Sequence, residues 1–332
     1  LKPGFSLSYY VDGVLSGNRV VLGQAITLVE SFLPKDQENA GAVLEKILPD
    51  TGKSIRVGVT GVPGVGKSTF IEALGLYVVR QEKKIAVLSI DPSSPLTKGS
   101  ILGDKTRMEE LSKNPNAFIR PTASGLAIGG VANHTREAML LCEAAGFDVI
   151  FVETVGVGQS EVSVKKMVDF FLLLMLAGAG DELQGIKKGI MEMADAIAIT
   201  KADGDNIKKA SEAQADYQHA LHLFSTPDSG WKPKVLTTSA LSGDGIDKIW
   251  KVIQQYRDQT EKSGYFDQNR SDQNIAWFHD CFDQLVRADL SQHQSVRSNL
   301  ISLEEEIRQS KLSARSAAQQ LLDRYHQAIQ KP

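Results

Sequence analysis

Cysteine is almost missing from the 332 residues, with Cys142 and Cys281 alone. Two thiols exclude a disulfide framework and a Cys₄ zinc site, and both read as small buried hydrophobes of a reducing compartment. The six histidines are scattered. His219 and His222 share a helix face, but with no further ligands they read as a solvated pair rather than a metal site. No block of basic residues stands out and the formal net charge is −3, which argues against a nucleic-acid-binding surface. No apolar run is long: Phe170 to Ala179 reaches about half of the ~20 residues needed to cross a bilayer and reads as a buried strand. A secretory signal is also lacking at the N-terminus, and Leu1 is compatible with a removed targeting segment.

What is present is 42% hydrophobic and 23% charged residues, enough for a sizeable core in one main domain with additions. The central stretch runs from Val57 to Thr69. An apolar strand passes through Gly61-Val62-Pro63-Gly64-Val65-Gly66-Lys67-Ser68-Thr69 into a helix, matching the phosphate-cradle spacing G-x-x-x-x-G-K-[ST]. Gly61, Gly64 and Gly66 allow successive N–H groups to face one anion, and the helix adds its positive end. Lys67 supplies a cation for the outer phosphates. The Ser68 hydroxyl is placed to ligate Mg²⁺.

Residues 1–50 read as a helical extension, with an apolar stripe from Val21 to Phe32 that Pro34 ends and a second helix near Ala40 to Leu48. Between residues 51 and 264, strands are predicted at Ile55–Thr60, Lys84–Ile90, Ala117–Arg120, Val149–Glu153, Phe170–Leu176, Ala196–Thr200 and Lys234–Thr238. An amphipathic helix is expected over Ser68 to Arg80. Alternation of this kind means an α/β fold with a mostly parallel sheet flanked by helices, and polar residues just after the strands become the ones to inspect. Residues 265–332 carry helices near Asn274–Ala288, Leu303–Arg308 and Ala314–Ile329, whose apolar positions are expected to cover the core or a second subunit.

Asp91 directly follows a strand and is a Mg²⁺ ligand candidate, with Asp104 as a second. Glu153 also ends a strand, and Gly156 follows three residues later, the spacing at which nucleotide switches sense a γ-phosphate. Gln159 is a candidate for orienting the attacking water. Thr200-Lys201-Ala202-Asp203 resembles the guanine-reading Asn-Lys-x-Asp motif. An ionised Asp203 accepts from guanine N1–H and N2–H₂, whereas adenine leaves it unpaired. Lys201 is expected to lie along the base. Thr200 stands in place of Asn, which removes an amide and puts bracing of the loop in doubt. Ser239, Ala240 and Leu241 follow the next strand, where such proteins place a backbone donor for the guanine carbonyl.

These residues resemble the MeaB/ArgK GTPases of the signal-recognition-particle-like class, which include the methylmalonic aciduria type A protein. The resemblance rests on the cradle, Thr27 to Ser31, Asp91 to Ser94, Gly99 to Met108, Glu153 to Ser160 and Gly180 to Gly189, and it departs in the Pro121–Gly130 loop. It implies a P-loop fold and a homodimeric GTPase that binds GTP and GDP and chaperones adenosylcobalamin-dependent methylmalonyl-CoA mutase, the C-terminal helices serving as a dimerisation arm. It also implies that Lys67, Ser68, Asp91, Asp104 and Glu153 surround Mg-GTP, and that the Gly180–Gly189 loop is a further switch. The location implied is cytoplasmic in a bacterium and the mitochondrial matrix in a eukaryote, with no membrane or nucleic-acid partner. The other readings are an ATPase or kinase tied to basic amino-acid transport, a chaperone of another cobalamin-dependent acyl-CoA mutase, a nickel-delivery GTPase, which the scattered histidines disfavour, and a nucleotide-binding structural dimer. No arginine stands in a finger-like context, so slow basal turnover accelerated by a partner is expected.

Overall fold

A computed structural model describes residues 6–91, 108–123, 130–154, 160–178, 188–225 and 227–329. Runs of β-branched and aliphatic residues form β1 (Ile55–Gly61), β2 (Ile85–Asp91), β3 (Ala117–Ala123), β4 (Val149–Thr154), β5 (Phe170–Leu176), β6 (Ala196–Thr200) and β7 (Lys234–Thr237). They pair in the order β3-β2-β4-β1-β5-β6-β7, and every pairing is parallel. A parallel sheet is covered on both faces, so its strands are continuously apolar rather than alternating. Accordingly β1 and β4 are buried at every position. With β2, β3 and β4 on one side of β1 and β5, β6 and β7 on the other, the connections diverge and open a crevice at the carboxyl end of β1.

Ahead of the sheet lie α1 (Leu7–Leu15), α2 (Arg19–Val29) and α3 (Pro34–Ile47). Asn18 caps α2, accepting from the N–H groups of Val20 and Val21 at 3.0 and 3.2 Å. Tyr10, Val14, Leu22, Ile26, Val43 and Ile47 from these helices join the same hydrophobic core as the strands. Pro34 does not end the apolar stripe. It opens α3 at its first turn, where a missing N–H is harmless, and α2 has already stopped at Val29. Phe32 consequently leaves the stripe and is 63% exposed.

The helix after the cradle, α4 (Lys67–Val79), buries Phe70, Ile71, Leu74, Val78 and Val79. It is not the amphipathic helix expected, because a later helix, α10 (Ile246–Ser263), packs over it. The remaining helices of this part are α5 (Glu109–Lys113), α6 (Gly130–Ala144), α7 (Ser160–Lys165), α8 (Lys188–Met193), α9 (Ile207–Leu221) and α10 (Ile246–Ser263). Then come α11 (Tyr265–Gln292), α12 (Gln294–Arg308) and α13 (Ala314–Ile329), longer at their N-terminal sides than the sequence pattern suggested for the first two. Residues 1–273 form one compact unit and residues 274–332 another. In the second, Val296, Leu303 and Ala317 are buried, while Phe278, Phe282, Leu285 and Ile301 are exposed.

The amino end of the sheet is closed by charge. Arg56, near the start of β1, donates from Nε and Nη2 to the two oxygens of Glu143 on α6, each at 2.9 Å. Glu143 also accepts from Ser54 Oγ at 2.7 Å and the Gly52 N–H at 2.9 Å. Arg270, in the first turns of α11, grips Asp169 at 2.8 and 2.6 Å, and Asp169 accepts the Arg56 N–H at 2.7 Å. Burial opposes the charge of Glu143, but Arg56, Arg270 and Ser54 outweigh it and hold its carboxyl below the usual carboxylate range. Removing one partner of such a pair strands the other. Arg56→Met is therefore expected to destabilise the fold by about 3–5 kcal/mol in denaturant titration at neutral pH. Since the folded-state value of Glu143 is depressed, its contribution is fully present above the unfolded carboxyl's range and is lost as pH falls through the folded value. The gap between wild type and variant should narrow on that acid side.

Candidate nucleotide site

The cradle begins where β1 meets β5. A Cβ on Gly61 would lie 2.5 Å from the Leu174 carbonyl oxygen, so no side chain fits. Gly64 and Gly66 hold φ of +78° and +92°, left-handed values that glycine adopts without strain. Gly66 stands directly before α4 and offers no side chain to cap it, which leaves the first amides of that helix for an anion. Val62 and Val65 are buried and anchor the loop from below, while Pro63, Gly64 and Thr69 face solvent.

Lys67 is buried and donates from Nζ to the carbonyls of Gly61 at 2.7 Å and Val62 at 3.2 Å. Burial lowers its pKa, and the charges of Glu153 and Glu161 act against that shift. The ammonium is thus held over the loop's own carbonyls, from which it can turn to a phosphate. Ser68 and Glu153 meet as expected, the Ser68 hydroxyl donating to Glu153 Oε1 at 3.0 Å. Ser89 on β2 lies 3.4 Å from the other carboxylate oxygen, a contact not anticipated although a serine near the end of a strand adjoining β4 was a visible signal.

Hydroxyl and carboxylate oxygens are hard donors of the type Mg²⁺ takes. Among the described residues no three His, Cys, Asp or Glu side chains gather to cage a metal. Mg²⁺ needs no such cage, keeping waters and substrate phosphates among its ligands, so Ser68 and Glu153 fit it. Asp91 ends β2, in register with Ala123, but its side chain lies outside the described residues, as do Asp104, Gly156, Gln159 and residues 179–187.

The candidate base-reading side is built from the ends of β6 and β7. Thr200, buried, donates from its hydroxyl to the Val65 carbonyl at 2.8 Å, with the Met175 carbonyl at 3.2 Å. The brace doubted on replacing Asn is therefore present, supplied by a shorter side chain. Lys201 has φ of +56°, unusual for a residue with a side chain. Its carbonyl accepts from Asn206 Nδ2 at 2.7 Å, and its own Nζ reaches back to the Gly64 carbonyl at 2.9 Å. Asn206 gave no motif signal. The Ser239 hydroxyl donates to Asp203 Oδ2 and accepts the Ser242 N–H at 3.2 Å, so its proton is directed at the carboxylate. A Cβ on Gly245 would lie 2.2 Å from the Thr237 carbonyl, and this close return holds the loop that carries Ser239. Ala240 is half-buried and Leu241 is 85% exposed beside it. Asp203 accepts Ser239 through one lone pair of Oδ2, which leaves acceptor capacity on both oxygens for a donor edge.

Residues 22–298 match the family described as methylmalonyl Co-A mutase-associated GTPase MeaB. The chain belongs to the MeaB family. It is 50% identical over 272 residues to the GTPase ArgK of Escherichia coli, covering 82% of each chain. It is 43% identical over 320 residues to the mitochondrial methylmalonic aciduria type A homolog of Mus musculus, covering 93% of this chain and 77% of that one. A solved structure described as a LAO/AO transport system kinase superposes with a TM-score of 0.75 at 40% identity, covering 96% of both chains. Among MeaB relatives of this chain, names referring to a GTPase and to a transport kinase thus sit on one fold.

Thr200→Val keeps the shape of the side chain and leaves the Val65 carbonyl without its donor. The variant is expected to lose about 1–3 kcal/mol of stability and to weaken GTP and GDP by the same factor, because the phosphate loop rather than the base is affected. Thr200→Ser should restore both in denaturant titration and calorimetry.

Proposed function

We propose that this MeaB-family GTPase hydrolyses GTP as a switch serving adenosylcobalamin-dependent methylmalonyl-CoA mutase, gating cofactor loading and protecting or reactivating the mutase. The observation that carries the nucleotide assignment is Asp203, braced by Ser239 on the side of the sheet end that Lys201 ties to the cradle. A carboxylate there accepts from N1–H and N2–H₂ of guanine. Adenine offers an acceptor at N1 and no 2-amino group, so the carboxylate would lose both partners.

Lys67 exchanges its two loop carbonyls for the β- and γ-phosphates, and the amides at the start of α4 hold the same oxygens. As water attacks in line, charge spreads onto oxygens that these donors already face. Ser68 and Glu153 are the residues that would hold Mg²⁺, with Asp91 and Asp104 as further ligands, and the ion would offset charge on the phosphate oxygens. Gly156 and Gln159 belong to the same reading as the γ-phosphate sensor and the residue orienting water. Residues 51–264 act as the nucleotide domain, 1–50 as its helical extension and 265–332 as the dimerisation arm. Exposed Phe278, Phe282, Leu285 and Ile301 give the arm the apolar surface that a homodimer would cover. The protein works where its mutase does, in the cytoplasm of a bacterium or the mitochondrial matrix. No described helix is long and apolar enough to cross a membrane.

A kinase reading draws on the likeness to the structure described as a transport system kinase, and it requires a nucleotide site that accepts adenine, against the chemistry of Asp203. The test is phosphate release from GTP and from ATP, with increasing methylmalonyl-CoA mutase from the same source. Turnover of GTP alone that rises saturably with mutase, by about 10-fold or more if the mutase orders the switch, is the expected outcome. GTP turnover indifferent to the mutase would remove the partner, and ATP preference would restore the kinase.

A further inference from the structure

β1 and β4 are apolar along most of their length, yet both carry a fully buried threonine at the sheet's carboxyl end, Thr60 and Thr154. Register pairs Val59 with Glu153, which sets the two threonines level. Thr154 Oγ1 donates to Thr60 Oγ1 at 2.8 Å. A buried hydroxyl is costly unless paired, and valine has the same shape without that cost. Packing alone therefore does not explain two hydroxyls here.

Their neighbours in sequence do. Gly61, next to Thr60, supplies the carbonyl that accepts Lys67 Nζ, and Glu153, next to Thr154, accepts the Ser68 hydroxyl. On the other side of β1, Thr60 lies opposite Leu173 and Gly61 opposite Leu174, so β5 brings no polar side chain to this level. One hydrogen bond thus joins the entry of the phosphate loop to the strand end that carries Glu153. Two residues after Thr154 in the sequence comes Gly156, read above as the γ-phosphate sensor.

We propose that the Thr60–Thr154 hydroxyl pair is a positioning device for GTP hydrolysis. It holds the end of β4 against the phosphate loop, so that the Glu153 carboxylate keeps its place beside Ser68 when a third phosphate arrives. The inference rests on the GTPase reading. Neither threonine contacts nucleotide in it, so both are positioning residues. The base-reading residues Asp203 and Ser239 follow the ends of β6 and β7, on the far side of β5, and do not depend on the pair. Hydrolysis should accordingly suffer where GDP binding does not.

The test uses the full chain with Thr60→Val, Thr154→Val, the double variant and Thr154→Ser, reading kcat, KM for GTP, GDP affinity by calorimetry and the urea midpoint. Wild-type GTP turnover is the control that checks the GTPase reading itself; its absence would overturn both. Each single Val variant is expected to lose about tenfold in kcat, the rate equivalent of one neutral hydrogen bond, with GDP affinity within about twofold of wild type. The double variant should be no slower than either single one, because the second hydroxyl has already lost its partner. It should also recover part of the urea midpoint lost by the single variants, since no orphaned hydroxyl remains. Thr154→Ser should restore kcat. Additive losses in the double variant, GDP affinity falling in step with kcat, or unchanged kcat in the single variants would each overturn the proposal.

Discussion

The arrangement depends on one close approach, that of the Gly61 backbone to the Leu174 carbonyl where β1 leaves the sheet beside β5. A Cβ at that point would sit 2.5 Å from the carbonyl oxygen. Glycine there lets the two strands stay paired to the end of β1 and lets the chain turn at once over the sheet edge. The loop then lies within reach of two other strand ends, those of β4 and β6. β4 brings Glu153 to Ser68, β6 brings Thr200 to the Val65 carbonyl, and Lys201 closes on Gly64. The phosphate loop and the candidate base-reading residues therefore share one sheet end.

The two ends of the sheet are finished by different physics. At the amino end two buried arginines are answered by carboxylates, Arg56 by Glu143 and Arg270 by Asp169. Such buried pairs add little net stability compared with an apolar core, but they make any single loss costly, and they fix the starts of β1 and β5 in place. At the carboxyl end the donors are held provisionally. Lys67 rests on two carbonyls of its own loop, and α4 opens behind a glycine with no capping side chain. The rigid end positions the strands, and the donor-rich end is left to a ligand.

Most of the fold was readable because its signals are local. Short, mostly apolar runs located all seven strands, and the cradle's spacing located the phosphate loop, since neither depends on distant partners. The failures have equally specific causes. Pro34 was read as a stop because proline ends helices, but it also begins them, and only the burial of α2 and α3 tells which. α4 was expected to be amphipathic because a second covering helix, α10, is invisible in its own periodicity. The Arg56–Glu143 and Arg270–Asp169 pairs join residues 87 and 101 positions apart, a separation no local pattern spans. Thr200 was judged by what it lacks relative to Asn, whereas the length needed to reach Val65 depends on how closely β6 approaches the loop. The Ser68–Glu153 contact was legible for the opposite reason, that both residues belong to motifs whose spatial meeting the fold class dictates.

The central claim is that this sheet end reads guanine through the carboxylate of Asp203, held by Ser239. The most direct measurement is the affinity of wild type and Asp203→Asn for GTP and for xanthosine triphosphate, whose 2-carbonyl takes the place of the amino group. The account predicts that the variant loses GTP affinity by on the order of 10²-fold or more while gaining xanthosine triphosphate, because the amide now offers a donor where the carboxylate offered an acceptor. Equal loss of both nucleotides, or GTP affinity unchanged by the substitution, would contradict it.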